Sequence, residues 1–184
     1  NKSILRPALI DSDHVVINMG VEVLPLTEKT RLKRNRYQGE QFNEELPDII
    51  EVDLLGAAGT FMHSDVIHDA RYSDDVFMGN QDYHFCLELE KEGYKFFVTS
   101  DTALVHTEIH RKHQYIDYED ERWAEEQISQ GIRNFFEESG WLAIKDYVKL
   151  CLFEEKREEL QIELKKVLEI ADNHDHASEI RERA

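Results

Sequence analysis

Tyr72-Ser-Asp-Asp-Val-Phe-Met-Gly-Asn-Gln-Asp82-Tyr-His-Phe-Cys-Leu-Glu-Leu89 sets the reading of this chain. A glycine-bearing acidic loop runs into an apolar helical pattern, predicted over about Gln81 to Glu92, so a carboxylate is delivered at a helix start. Gly93 follows where a C-terminal cap favours positive φ. Tyr94-Lys-Phe96-Phe97-Val98 then reads as a strand, Thr99-Ser-Asp101 as a turn, and Thr102-Ala-Leu-Val105-His106 as a second strand ending on a histidine.

Upstream, Ile4-Leu5, Val15-Val16-Ile17 and Val21 to Leu24 read as short strands, with a turn at Asp11-Ser12-Asp13. The region from Pro25 to Pro47 is polar and without period, a length of loop that is usually functional or mobile. Ile49 to Leu55 is a further apolar strand pattern, ending in Gly56-Ala-Ala-Gly59. Thr60-Phe61-Met62 reads as another strand, and Ser64-Asp65 as the cap of a short helix. From about Asp117 the signal is helical. One helix carries Trp123, Ile128, Ile132 and Phe135, and Ser139-Gly140 breaks it. A second is predicted from Trp141 or Leu142 to about Ala171, with a stripe of Leu160, Leu164, Val167, Leu168 and Ala171; the last dozen residues read as frayed. That stripe is too short for a coiled coil, so the tail packs on its own domain, pairs with a second subunit or joins a further domain.

The 184 residues suffice for a real core. A formal charge of −17 argues against nucleic-acid binding, because phosphates would be repelled. About half of that excess lies in residues 117–184, with 19 acidic and 10 basic residues. The basic island Lys29-Thr-Arg-Leu-Lys-Arg-Asn-Arg36 is either a solvated loop or a contact for a substrate phosphate or an anionic lipid surface. Cys86 and Cys151, the two cysteines, read as buried thiols in a reducing compartment. No apolar run approaches the roughly 20 residues that span a bilayer. The placement expected is cytoplasmic, including the inner face of the membrane. The chain does not begin with methionine, and is expected to be a piece of something longer.

Residue chemistry leaves the roles open. Asp82 is either a carboxylate favoured by the helix dipole or a general base within reach of a hydroxyl. His106 is either a core histidine or a metal ligand at the strand rim. His106, His110 and His113 together suggest zinc, but no cysteine lies near and the segment lacks a helical pattern. Asp11-Ser12-Asp13 has the form of a cation and diphosphate motif, yet a turn between strands explains it better.

Read as a block, residues 52–106 resemble the second half of the family-two inverting glycosyltransferases of GT-A fold. The resemblance rests on Gly59-Thr-Phe61-Met62, Tyr72 to Gly79, Gln81-Asp82-Tyr-His84-Phe-Cys86-Leu-Glu-Leu, Glu92-Gly93-Tyr94-Lys95 and Ala103-Leu-Val105-His106, in the family's order and spacing. With Arg6-Pro7-Ala-Leu and Val16 to Gly20 it covers about 100 residues. It implies an α/β fold: residues 1–116 as a partial GT-A-like mixed sheet with flanking helices, and 117–184 as a helical C-terminal extension. It further implies Asp82 as the base deprotonating an acceptor hydroxyl, and Gly59, Thr60, Gln81 and His84 beside the acceptor. His106 would complete a divalent-metal site (Mn or Mg). The partners implied are a nucleotide-sugar donor and a glycan or lipid-linked acceptor, as in polysaccharide synthesis. Gln81 replaces the family's glutamate and His84 its second aspartate. The nucleotide-binding half is not in this chain. A non-catalytic scaffold derived from such a half, binding glycan or a partner, is the alternative.

Overall fold

The computed structural model describes residues 2–56, 58–76, 80–106, 121–172 and 176–183. The fold is mixed α/β, with two mixed sheets. The chain forms two compact units, one of residues 1–22, 34–73 and 81–121, the other of 23–33, 74–80 and 122–184.

In the first unit a four-stranded sheet runs β2-β1-β6-β5: β1 is Ser3–Ile10, β2 Val16–Asn18, β5 Ile49–Val52 and β6 Lys95–Val105. β1 and β6 are parallel, and the flanking strands β2 and β5 are antiparallel. β1 is apolar over most of its length, as a central strand packed on both faces should be, although Leu5 is 41% exposed. Ile4, Ala8, Leu9 and Ile10 of β1 are accordingly buried. The turn predicted at Thr99-Ser-Asp101 is instead a bulge inside one eleven-residue strand. Pro7 pairs with Thr99 but Ala8 with Ala103, and Ser100 N–H donates to the Asp48 carbonyl at 3.0 Å. Proline lacks an N–H for the ladder, and the register slips beside it.

Thr60-Phe61-Met62 does not form a strand, only a single bridge from Phe61 to Leu5. The short helix α1 is Val66–Asp69, with Asp65 before it making no side-chain cap. Helix α2, Gln81–Lys91, buries Phe85, Cys86 and Leu89. Its C-terminus is closed by Gly93 N–H to Glu90 O and Tyr94 N–H to Leu89 O. Asp11 Oδ1 accepts from the Asp13 and Val15 amides at 2.8 and 2.9 Å, so Asp11-Ser12-Asp13 is a turn.

The second sheet is β3-β4-β7: β3 is Val21–Pro25, β4 Thr30–Asn35 and β7 Leu142–Ala143. The segment read as a loop thus contains a strand. Thr30 and Leu32 are buried while Arg31 between them is less so, a period of two hidden by the density of lysine and arginine. The second unit adds α3 (Glu121–Ser139), α4 (Ile144–Phe153), α5 (Arg157–Ala171) and α6 (Ala177–Arg183). The single helix predicted to Ala171 is broken at Glu154 to Lys156, where Glu155 takes φ 58°. Of the predicted stripe, Leu160, Val167 and Ala171 are buried but Leu168 is exposed. Within the end read as frayed, Ala177–Arg183 is helical, and Ile180 joins the core of Leu26, Leu32, Ile144, Val167 and Ala171. Both cysteines are free and buried. Among the described residues, no helix is long and apolar enough to cross a membrane.

Candidate functional site

Asp82 is the second residue of α2, so its carboxylate sits where unsatisfied helix N–H groups and the dipole favour negative charge. It lines a cavity of the first unit with Gly56, Thr60, Met62 and Tyr72, above a floor that includes Leu55 and Phe85. The cavity measures about 10 Å³, at the threshold for one water molecule. Thr60 Oγ1 donates to the Gly56 carbonyl at 2.9 Å, which fixes the hydroxyl and leaves its oxygen lone pairs as acceptors. Cys86, one turn into α2, receives the Leu55 amide on Sγ at 3.3 Å. Burial, and to a smaller extent the nearby Asp82 charge, push its thiol up to about 12, which makes it a poor nucleophile.

Below this carboxylate lies a residue the sequence reading passed over. Arg6, in the middle of β1, is 1% exposed. Its Nη2 donates to the Asn18 carbonyl at 3.0 Å and to Asn18 Oδ1, and its Nη1 reaches the Gly56 carbonyl at 3.5 Å. Its Nε is buried with no hydrogen-bond partner. Burial lowers the Arg6 pKa, and the charges of Tyr83, Cys86 and Asp82 act against that. A Cβ on Gly56 would lie 3.3 Å from Arg6 Nη1 and 3.9 Å from Asp82 Oδ2, so cation and carboxylate flank the same bare stretch of backbone. A buried arginine needs such compensation, because an isolated charge in the interior is costly. The sequence signal was one arginine inside the apolar run Ile4 to Ile10.

The remaining predicted residues fall in different places. Gly59 has φ +70° and lies under β6, where a Cβ would come 2.0 Å from Leu104 Cδ1. Gln81 opens α2 and is half-buried. His84 is buried within α2. Neither Gly59, Gln81 nor His84 lines the cavity that holds Asp82 and Thr60. His106 follows β6, and its amide donates to the Ile10 carbonyl at 2.7 Å, extending the β1–β6 ladder. Among the described residues His106 belongs to no group of three or more side-chain donors close enough to share an ion. One imidazole does not make a Mn or Mg site, since such ions take six or more mostly oxygen ligands. His110, His113 and the loop residues Phe77 to Gly79 lie outside the described residues.

The basic island is held by acidic and polar partners within its own units. Arg34 and Arg36 pair with Glu22 at 2.9 and 3.3 Å, Lys33 with Asp146 at 3.4 Å, and Lys29 with Glu159 at 2.8 Å. Arg31 donates to the Thr27 and Thr30 carbonyls and lies over the Trp141 ring. These charges hold β4 in place.

No protein-family profile, curated protein or solved structure matches the chain.

Proposed function

We propose that this chain supplies the acceptor side and the general base of an inverting, nucleotide-sugar-dependent glycosyltransferase, working with a nucleotide-binding half. The observation that carries the reading is the placement of Asp82, whose carboxylate lies in the first turn of α2 and shares a cavity wall with Thr60 and Tyr72. The acceptor hydroxyl gives its proton to Asp82 as its oxygen bonds to the anomeric carbon of the donor. The bond from that carbon to the diphosphate breaks on the opposite face, and its electron pair leaves with the diphosphate. Configuration is therefore inverted. Thr60, anchored on the Gly56 carbonyl, offers an acceptor oxygen to orient the incoming sugar. A divalent cation on the diphosphate would need donors beyond His106.

The second reading, a non-catalytic glycan-binding or partner-binding scaffold, is favoured by the small size of the cavity, which holds no more than one water.

The two separate in an assay of nucleoside diphosphate release from UDP-, GDP- and dTDP-sugars, in the presence of glycoside acceptors, by the protein that carries this chain. Asp82→Asn is expected to lower turnover by about 10²–10⁴, the usual contribution of a positioned base, with fold and donor binding retained. Near-normal turnover in Asp82→Asn removes the residue from that role. Absence of turnover in the unaltered protein favours the scaffold.

A further inference from the structure

We infer that Tyr72 is a stacking platform for a pyranose ring, holding the acceptor sugar with its hydroxyls toward Asp82. The inference rests on the reading of Asp82 as the base of a sugar transfer, and extends it to the acceptor's chemical class.

The ring of Tyr72 is both exposed and rigid. It stacks on Phe85 with centroids 4.6 Å apart and planes 9° from parallel. Phe85 is itself buried, three residues after Asp82 on α2, and therefore on the same side of the helix. Tyr72 is nonetheless 47% exposed. With one face covered by Phe85, that exposure comes from the opposite face and the edges. A flat aromatic surface held this way loses little conformational entropy on binding, since both its torsions are already set.

Its surroundings suit a neutral polyhydroxy ring. The sugar would lie on the open face of Tyr72 and not inside the one-water cavity that Tyr72 lines with Thr60, Met62 and Asp82. The Tyr72 hydroxyl pKa is raised by burial first, and next by the negative charge of Asp82, so the two side chains share one electrostatic environment. Met62, which shares the cavity wall with Tyr72, is also exposed and adds apolar surface beside the platform. A pyranose has one face made mainly of C–H bonds, whose partial positive charge meets the negative face of an aromatic ring. The sugar hydroxyls at the edge then find a carboxylate and a threonine oxygen that can accept from them. An anionic group on the acceptor sugar is disfavoured on this face of Tyr72, because the Asp82 carboxylate repels it. A cation would be attracted by the same ring and carboxylate, which makes it the rival to exclude.

The probe is methyl β-D-galactopyranoside, which presents a contiguous C–H face. Saturation-transfer NMR on the full chain reads its binding, and titration of the Tyr72 ring resonances locates it. Sorbitol, which has hydroxyls but no ring face, and choline, a quaternary ammonium, are the controls. Tyr72→Phe keeps the ring, whereas Tyr72→Leu keeps apolar packing on Phe85 and removes it. The expected result is binding that perturbs the Tyr72 ring, survives Tyr72→Phe and weakens roughly three- to tenfold in Tyr72→Leu. No binding, binding indifferent to Tyr72→Leu, or equal binding of sorbitol or choline overturns the inference. If the glycoside binds in this Tyr72-dependent way but the protein transfers no sugar, the platform stands and the catalytic reading of Asp82 falls.

Discussion

Adding the same methyl group at Gly20 and at Gly59 has very different consequences. Both glycines have positive φ, +89° and +70°, so alanine at either takes on a backbone strain of about 1–2 kcal/mol. Loss of chain entropy in the unfolded state offsets roughly 0.5–1 kcal/mol of it. The neighbours then separate the two sites. At Gly20 the new Cβ lies 2.5, 2.8 and 2.9 Å from Val52 Cγ1, Cγ2 and Cβ. Val52 is β-branched, buried and part of β5, so neither rotation nor a small shift clears all three atoms. Overpacking of this kind costs about 1–3 kcal/mol. At Gly59 the closest atom, at 2.0 Å, is a terminal methyl of Leu104, a side chain 38% exposed that can swing outward. The expected destabilisation is about 2–4 kcal/mol for Gly20→Ala and about 1 kcal/mol for Gly59→Ala.

Urea unfolding followed by far-UV circular dichroism measures both. A double-mutant cycle with Val52→Ala isolates the clash, because removing the two γ-methyls gives the new Cβ room. Coupling of about 1 kcal/mol or more between Gly20→Ala and Val52→Ala is expected. Equal costs at the two glycines, or additive costs in the cycle, would refute the steric account and leave only the backbone term.

Arg6→Met removes a buried guanidinium but leaves the Asn18 and Gly56 carbonyls and the nearby Asp82 charge without it; a loss of about 2–4 kcal/mol is expected by urea unfolding, with Arg6→Lys recovering only part because an ammonium cannot make the same fork. Unchanged stability in Arg6→Met would show that the cation is dispensable. Acid should weaken the second unit. Glu154 is lowered by its hydrogen bond from Lys156 and next by that from Arg133, and Glu159 by hydrogen bonds from Lys29 and then Tyr147. A depressed carboxyl stabilises the fold above its unfolded value of 4.5, and that contribution is lost as pH falls through the lower folded value. Unfolding followed by tryptophan fluorescence should therefore show stability falling below about pH 4.5, with a shallower acid slope in Glu159→Gln; an unchanged slope would count against the pairing.

Much of the first unit could be read from the sequence because its signals are local. The helix predicted from Gln81 ends within a residue of where it is observed, since acidic loop, apolar face and Gly93 all lie inside one short window. The strands of the 94–106 region were found too, but as two pieces. Nothing in Thr99-Ser-Asp101 tells a turn from a bulge; the difference is made by Pro7, some ninety residues earlier, on the partner strand. β4 was missed for another reason. Its inward residues Thr30 and Leu32 carry the period of a strand, yet Lys29, Arg31, Lys33, Arg34 and Arg36 give the segment the composition of a loop. Charges can crowd the strand and its flanks because Glu22, Asp146 and Glu159, all outside β4, pair with Lys33 and Arg34 within it and with Lys29 and Arg36 beside it.

The same distinction governs the candidate site. The position of Asp82 at a helix start follows from its own neighbours, and that much was legible. Whether such a carboxylate is a cap or a base depends on what stands around it, and those groups come from three separate stretches: Arg6 on β1, Gly56 and Thr60 after β5, and Tyr72 before α2. Arg6 is the strongest case. In sequence it reads as an interruption of an apolar strand, and a strand buried on both faces should exclude it. It is tolerated because Asn18 and Gly56 present carbonyls to its guanidinium and Asp82 presents charge. A helix cap exposed to water needs no buried cation behind it, since solvent and the helix N–H groups already stabilise the carboxylate. Asp82 therefore has a second structural role beside capping, because its charge lies on the same side of Gly56 as the buried Arg6 guanidinium and compensates it.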